Sequence, residues 1–146
     1  MKNSVLCYLE ETAERLPDKV AFFDAEGEIT FEQLRKNAVD IAFAIQEKVG
    51  GRRNPILTYI PKSVKNITAF MGILYSGNFY TPTEVRFPEE KVRSIVETLH
   101  PAAILVDTKS KEKLCGYEWT KDICLINVDE VAKSGRYEES RELADK

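Results

Sequence analysis

The stretch LYSGNFYTPTEVRFP, residues 74–88, organises the fold of this chain. An apolar helical pattern leads into it and stops at Gly77, and a short extended segment at 79–81 follows. Pro82 has no backbone N–H to donate, so we predict that strand pairing ends there. Pro88 then opens a second helix, because its fixed φ suits the first helical turn. A helix, a strand and a helix in so short a stretch predict the middle of an α/β unit.

Alternating helices and strands extend from this stretch in both directions. Thr30 and Gln33 form a Thr-x-x-Gln capping box, with Ile29 and Leu34 placed to close it as a hydrophobic staple. The apolar run at 102–106 is typical of a parallel strand covered on both faces. Helices are predicted over 4–16, 30–49, 63–74, 88–99, 109–115 and 129–133, and strands over 20–23, 28–30, 55–60, 79–81, 102–106 and 123–127. The predicted fold class is α/β, with a mostly parallel sheet, helices on both faces, and an N-terminal helix and β-hairpin before them.

Helical and strand periodicity also predicts which side chains face the core. Tyr59, Phe79 and Tyr80 are predicted to be core aromatics, although aromatic side chains could also line a cofactor pocket. The predicted inward stripes are Val5, Leu6, Leu9, Ala13 and Leu16 in the first helix, and Val64, Ile67, Phe70, Met71 and Leu74 in the helix at 63–74. Beyond residue 128 the pattern fades, so we predict one domain over residues 1–133 and a polar tail or linker over 134–146.

The composition is that of an ordinary globular protein of 146 residues, 43% hydrophobic and 31% charged. A net charge of −3 gives no reason to expect nucleic-acid or membrane binding, and no apolar run is long enough to span a bilayer. The acidic start MKNSVLCYLEE does not resemble a signal peptide, so we expect a cytoplasmic location. Cys7, Cys115, Cys124 and His100 lack the spacing of a zinc site, and the cysteines are expected to be reduced thiols.

Two basic segments are candidates for phosphate binding. Lys62 and Ser63 stand at a predicted helix start, where backbone N–H groups attract anions. The simpler interpretation is a capping serine beside a solvated lysine. Residues 50–53, GGRR, could form a phosphate clamp, but more often such a segment is a helix stop followed by an exposed basic loop.

Acidic residues and the single histidine give weaker signals. Glu84, with Glu89 and Glu90 nearby, could bind a metal, although a turn acid followed by helix N-terminal charges is the simpler account. His100 has no neighbouring nucleophile in the sequence and suits a helix C-terminus. We therefore assign no catalytic, cofactor-binding or metal-binding residue in this chain.

Four segments resemble motifs of the adenylate-forming enzymes. The residues at 74–84 resemble the second core motif, Leu-Lys-Ala-Gly-x-x-Tyr-x-Pro-Leu-Asp, and those at 29–34 resemble the first, Leu-Thr-Tyr-x-Glu-Leu. The segment IPKS at 60–63 resembles Leu-Pro-Arg-Ser, and AERLPDKVA at 13–21 resembles the helix that ends at Pro-Asp before the first strand. The resemblance covers residues 5–128 in the family's order. It is closest in style to amino-acid adenylation domains and D-alanine–carrier-protein ligases.

The resemblance implies a ligase that joins a carboxylate to ATP, forms an acyl adenylate and pyrophosphate, and passes the acyl group to a thiol. It implies ATP and Mg2+ as cofactors of the whole enzyme, and a carboxylate substrate and a phosphopantetheine carrier protein as partners. The family's Gly- and Ser/Thr-rich phosphate loop normally lies beyond the position of Lys146, and none of the seven glycines here belongs to such a loop. The chain is therefore expected to be a truncated first subdomain, inactive alone, with an uncovered sheet that favours self-association.

Two alternatives remain open at this point. The chain could be a stand-alone, non-catalytic binding or scaffold module derived from that subdomain. It could also be an unrelated small doubly wound domain that binds a nucleotide. The second alternative calls for a Gly-rich turn after the first parallel strand, where this sequence has Pro61, Lys62 and Ser63.

Overall fold

The computed structural model describes residues 5–132. The helices in that range are α1 (Val5–Arg15), α2 (Phe31–Lys48), α3 (Val64–Tyr75), α4 (Glu89–Leu99), α5 (Thr108–Cys115) and α6 (Val128–Ala132), with a 3-10 turn at Glu118–Thr120. The strands are β1 (Val20–Asp24), β2 (Gly27–Thr30), β3 (Pro55–Tyr59), β4 (Phe79–Thr83), β5 (Ala103–Val106) and β6 (Leu125–Asn127). Each helix and strand predicted within that range is present, whereas the tail predicted over 134–146 lies outside the described residues.

A four-stranded parallel sheet in the order β4-β3-β5-β6 forms the centre of the fold. Successive residues of β3 point to opposite faces of this sheet. Ile56 belongs to a cluster with residues of α2, α3 and α6 on one face. Leu57 and Tyr59 belong to a second cluster with Val92 of α4 and Leu114 of α5. This confirms the predicted α/β class, with helices on both faces of a parallel sheet.

The N-terminal helix and hairpin are joined to α2 by a smaller apolar cluster. Leu9 of α1, Ile29 of β2 and Leu34 of α2 form its buried centre. The Gln33 N–H donates to Thr30 Oγ1 at 3.2 Å, and the Thr30 N–H donates to Gln33 Oε1 at 3.0 Å. The predicted capping box is therefore confirmed, and Ile29 and Leu34 lie in one cluster, as a staple requires.

The end of α3 also follows the prediction. Gly77 has a φ of +82°, a conformation that glycine adopts without steric cost. Its N–H donates to Leu74 O at 3.0 Å, and the Asn78 N–H donates to Ile73 O at 3.2 Å. These two hydrogen bonds, from the N–H groups after the helix to carbonyls of its last turn, form the Schellman motif. The chain then enters β4 directly.

The prediction that strand pairing ends at Pro82 is wrong. The strand β4 runs through Pro82, which lies opposite Thr58 in the parallel ladder. Because β4 is an edge strand and the Phe79 N–H donates to Asn54 O, alternation places the nitrogen of Pro82 on the free side of the sheet. No neighbouring strand needs a donor there, so the missing N–H does not interrupt the pairing with β3.

The edge position of β4 also overturns the prediction that its aromatic residues are core. Phe79 and Tyr80 are 46% and 40% exposed. The ring of Tyr80 stacks on Phe70 of α3 with a centroid distance of 4.4 Å. Tyr59, on the neighbouring inner strand, is fully buried as predicted.

Two predicted helix faces also need correction. Val5 in α1 and Leu16 just after its end are exposed, because this peripheral helix contributes buried positions only at Leu9 and Ala13. In α3, the buried residues are Thr68, Ala69, Gly72 and Ile73, not the larger apolar residues of the predicted stripe. Gly72 allows α3 to pack closely against α2, whereas Val64 and Met71 of the predicted stripe are partly buried against the cluster of Leu9, Ile29 and Leu34.

Candidate functional site

The carboxyl ends of the four parallel strands meet at one edge of the sheet, which is where open α/β sheets bind ligands. Lys62 follows β3, Glu84 follows β4, Asp107 follows β5 and Asp129 lies just after β6. Charged side chains are therefore concentrated at the edge where a site is expected. Their hydrogen-bond partners decide whether any of them is available to a ligand.

Asp129 is the centre of a hydrogen-bond network at this edge. Its Oδ1 lies 2.8 Å from Lys65 Nζ, and its Oδ2 accepts from the Thr108 N–H at 3.0 Å. The side-chain amide of Asn127 donates to Thr108 Oγ1 at 3.1 Å. Burial alone would raise the pKa of Asp129, but the Lys65 ammonium and the Thr108 N–H outweigh it and lower that pKa. This network joins α3 to the end of β6. The charges of Lys65 and Asp129 are paired with each other within the fold.

The N-terminus of α3 is occupied by a carboxylate of the chain itself. Asp24, at the end of β1, accepts from the Val64 N–H through Oδ2 at 2.9 Å. Its Oδ1 accepts from the N–H groups of Glu26 and Gly27 at 2.8 and 3.0 Å. The Val64 hydrogen bond is the largest cause of the lowered pKa of Asp24. An anion at this helix terminus would have to compete with Asp24, so the residues present do not fit a phosphate here.

Ser63 is a capping serine and Lys62 is a solvent-exposed lysine, which was the simpler of the two interpretations of this segment. Ser63 Oγ accepts from the Asn66 N–H at 3.3 Å, which is an N-cap hydrogen bond. The Lys62 side chain is 89% exposed, with its Nζ 4.0 Å from Glu84 Oε1. The capping role predicted for Ser63 is confirmed, and an exposed pair at this distance is a weak electrostatic contact.

The basic loop at 50–53 lies at the opposite, amino edge of the sheet. The Arg53 N–H donates to Gly77 O at 2.8 Å, just before β3 and β4 begin. The aliphatic part of Arg52 packs over Gly77, where a Cβ would lie 3.1 Å from Arg52 Cγ. The structure thus does not bring the two predicted basic segments, 50–53 and Lys62, together into one phosphate site.

The other candidate residues, Glu89, His100 and Tyr59, make contacts within the fold. Glu89 accepts from Trp119 Nε1–H at 3.2 Å. His100 has a left-handed φ of 49°, and its N–H closes α4 on Val96 O at 2.9 Å. The buried Tyr59 donates its hydroxyl to Val85 O at 3.3 Å, and burial raises its pKa to about 12. Within residues 5–132, no three His, Cys, Asp or Glu side chains are grouped closely enough to bind a metal ion.

One further site was not predicted from the sequence. A groove of about 450 Å3 lies beside α2, and we call it the Asp40 groove. Asp40 is only 3% exposed, and its Oδ1 has no hydrogen-bond partner among the described residues. The groove is lined by Glu28, Ile29, Gln33, Lys36, Asn37, Asp40 and Val64. The available sequence signal was an aspartate between Val39 and Ile41 in an otherwise apolar helix segment.

No helix in the described part of the chain combines the length and apolarity needed to cross a bilayer.

The comparisons with known proteins place the chain in a family. The sequence matches the model of the AMP-binding enzyme family over residues 9–146. It is 32% identical over 105 residues to a mycosubtilin synthase subunit of Bacillus subtilis, a match that covers 72% of this chain and 4% of that protein. It is 29% identical over 90 residues to the D-alanine–D-alanyl carrier protein ligase of Bacillus mycoides (strain KBAB4), a match that covers 62% of this chain and 18% of that protein.

The solved structures agree with these sequence matches. The nonribosomal peptide synthetase FmoA3 superposes with a TM-score of 0.79 at 18% identity, over 88% of this chain and 13% of that chain. Its AMPPNP-bound form gives a TM-score of 0.77 at 19% identity, over 88% of this chain and 14% of that one. This chain thus spans a small part of the length of its relatives, and it is homologous to the adenylation domains of nonribosomal peptide synthetases and to D-alanine carrier protein ligase. The chain therefore belongs to the AMP-binding enzyme family.

Proposed function

We propose that this chain is the amino-terminal part of a ligase that activates a carboxylate with ATP to an acyl adenylate and transfers the acyl group to a carrier thiol. Its membership in the AMP-binding enzyme family supports the ligase reaction. The observation that carries the proposal is the small share of its relatives that the chain spans, 4% of the mycosubtilin synthase protein and 18% of the carrier protein ligase. Most of each relative has no counterpart in this chain.

The roles of the motif residues also support this proposal. Thr30 and Gln33 close the start of α2, and Gly77 turns the chain from α3 into β4. These are structural tasks that position helices against the sheet. Of the candidates for phosphate binding, Ser63 caps α3, Arg53 lies at the far edge of the sheet, and Lys62 is exposed with its Nζ 4.0 Å from Glu84 Oε1.

Adenylate formation needs groups that these residues do not supply. The reaction needs backbone N–H groups that cradle the phosphates, Mg2+ that neutralises them and a lysine that stabilises developing charge. At the N-terminus of α3, Asp24 already accepts the Val64 N–H and puts a negative charge where a phosphate would bind. We therefore derive no catalytic step within this chain, and we propose that ATP, Mg2+, the carboxylate and the carrier protein bind to the whole ligase.

The deciding experiment begins with the coding DNA after the codon for Lys146. If the reading frame continues, the longer protein and the 146-residue chain are purified and compared by pyrophosphate exchange into ATP, with a mixture of amino acids and fatty acids as carboxylates. We expect exchange by the longer protein and none by the 146-residue chain. The acceptor is then tested with a phosphopantetheine-bearing carrier protein, whose acylation is measured by mass spectrometry.

Other results would contradict the proposal. Exchange by the 146-residue chain alone would show that it contains an active site. A stop codon directly after Lys146 would overturn the truncated-ligase proposal and favour a stand-alone, non-catalytic module derived from the same subdomain.

A further inference from the structure

Exposed apolar side chains are concentrated in the first helix and the hairpin. Among the described residues, eight large apolar or aromatic side chains are exposed, and two of these are Phe79 and Tyr80 of β4. The other six all lie between the start of α1 and the end of β1: Val5, Tyr8, Leu16, Val20, Phe22 and Phe23. Phe23 is 80% exposed, the largest value in this set. Single exposed apolar residues need no explanation, whereas a group of them in one part of a fold marks a contact site.

The hairpin is attached to the rest of the fold on one side only. Ile29 of β2 is 6% exposed, in the apolar cluster that it shares with α1 and α2. Asp24, at the end of β1, accepts the Val64 N–H at 2.9 Å. Phe23 lies opposite Glu28 in the register, so the two side chains share a face of the hairpin, and both are exposed. The hairpin is thus held in a defined position while this face remains bare.

The hairpin is also a sheet of only two strands. Within residues 5–132, β1 and β2 pair with each other and with no other strand. A two-stranded hairpin is marginally stable unless further strands or helices cover its apolar surface. Helices α2 and α3 contact the hairpin from its inner side. The exposed side chains of β1, Val20, Phe22 and Phe23, are the part that still lacks cover, and we call them the hairpin surface.

The size of this exposed region restricts what can cover it. The six exposed side chains of α1, β1 and the turn between them offer on the order of 500 Å2 in total, whereas a stable interface between separate proteins buries about 800 Å2 on each partner. A second copy or a separate partner would also lose its translational and rotational freedom on binding. A segment of the same polypeptide is already tethered, so a small apolar surface is sufficient to hold it.

The rest of the ligase supplies such a tethered segment. The match to the carrier protein ligase covers 18% of that protein, so most of this relative lies outside the matched region. We propose that a segment of the ligase that follows this chain covers the hairpin surface, with Phe23 as the central buried side chain. The inference rests on the proposed function, because it needs a ligase longer than 146 residues. It concerns the assembly of the fold and not the adenylation step.

The first measurement compares the 146-residue chain with the longer protein that the reading frame encodes. Hydroxyl-radical footprinting with mass spectrometry reports how accessible individual phenylalanine side chains are to solvent. At a dilution where the 146-residue chain is monomeric, we expect Phe23 to be oxidised about fivefold or more slowly in the longer protein, since its exposure falls from 80% to nearly none. Phe79 on β4 is the comparison within the same molecule. Protection of Phe79 without protection of Phe23 would place the contact at the sheet edge and overturn the inference.

Phe23→Ser tests the same contact through thermal stability. In the 146-residue chain this side chain is 80% exposed, so we expect the variant to change Tm by less than about 1 °C. In the longer protein the loss of a buried aromatic contact should lower Tm by about 3 °C or more. Phe23→Leu is the matched control, because it keeps an apolar side chain and should retain most of the Tm. If Phe23→Ser prevents the longer protein from folding, the footprint of the wild-type proteins still decides.

The outcomes separate this inference from the proposed function. Pyrophosphate exchange by a longer protein in which Phe23 is unprotected would overturn the inference and leave the proposed function standing. Protection of Phe23 in a longer protein that shows no exchange would support the inference and count against the proposed ligase. Protection that rises with concentration in the 146-residue chain would identify a second copy as the occupant instead. A stop codon directly after Lys146 would overturn both.

Discussion

Gly72 of α3 lies directly against Ile41 of α2. A Cβ built on Gly72 would be 2.5 Å from Ile41 Cγ2, 2.7 Å from Ile41 Cβ and 3.0 Å from Ala38 O. Atoms in a packed core do not approach so closely, so α2 and α3 can hold their present separation only if position 72 lacks a side chain. This contact explains why the small residues of α3 face the core.

We expect Gly72→Ala to destabilise the chain by about 2 kcal/mol, because overpacking outweighs the better helix propensity of alanine. Urea unfolding followed by circular dichroism measures this change. Gly116→Ala is the matched control, since a Cβ there would meet only Lys113 O at 3.3 Å. An Ile41→Ala background removes the Cγ2 contact but keeps Ile41 Cβ at 2.7 Å, so Gly72→Ala should cost less there without becoming neutral. Equal costs in both backgrounds would contradict the proposed contact.

A second prediction concerns the hairpin carboxylate at the start of α3. The pKa of Asp24 is lowered in the folded chain, mainly by the Val64 N–H. Its contribution to stability is therefore present above its ordinary pKa of 3.8 and is lost as the pH falls through the lower folded value. We expect Asp24→Asn to lower the free energy of unfolding at pH 7, and this difference should shrink below about pH 4.

Thermal unfolding of the wild-type chain and Asp24→Asn between pH 3 and 7 measures this effect. Asp18→Asn, an exposed acid in the preceding loop, serves as the control. A difference between wild type and Asp24→Asn that stays constant across this range would show that the ionised carboxylate of Asp24 does not stabilise α3.

Asp40 should have the opposite pH dependence. Burial raises its pKa in the folded chain, so folding favours the protonated form and stability falls as the pH rises above its ordinary value of 3.8. We expect Asp40→Asn to be more stable than wild type at pH 7, with the difference vanishing below about pH 4. The same pH series of unfolding measurements checks this, and a loss of stability at pH 7 would mean that the ionised Asp40 has a compensating partner.

A fourth prediction concerns self-association, which we propose for the 146-residue chain. Phe79 and Tyr80 place exposed aromatic surface on the edge strand β4. Exposed edges of this kind favour contact between copies. Sedimentation velocity over a wide concentration range should reveal dimers or larger species, and Phe79→Ser should reduce them.

Phe23→Ser is the matched control for that experiment, because Phe23 is 80% exposed but lies on the separate hairpin. If Phe23→Ser reduces association and Phe79→Ser does not, the contact is made by the hairpin instead of the sheet edge. A monomer at all concentrations would contradict the proposal for both surfaces.

The features that sequence predicted well are local ones. The Thr30–Gln33 capping box and the Gly77 stop depend on a few neighbouring residues, so their chemistry can be recognised without the tertiary structure. The unrelated-domain alternative is also excluded, because the chain belongs to the AMP-binding enzyme family.

The errors arose where tertiary position decides the outcome. The exposure of Phe79 and Tyr80 depends on β4 being at the edge, which strand periodicity does not report. The buried face of α3 depends on the contact between Gly72 and Ile41, and the local pattern favoured the larger apolar residues instead. The isolation of Asp40 could not be predicted because it depends on which groups surround it in three dimensions.

The position of Pro82 has a consequence for what can join this sheet. Within Phe79–Thr83, alternation leaves the Tyr80 N–H as the only backbone donor on the free side, because Pro82 has none to offer. A strand that paired with this side of β4 would receive a hydrogen bond from only one backbone N–H, that of Tyr80. Backbone pairing alone would therefore hold it weakly. Contact at this edge would then depend more on side-chain packing than on backbone pairing, which makes the strand a poor template for fibril growth.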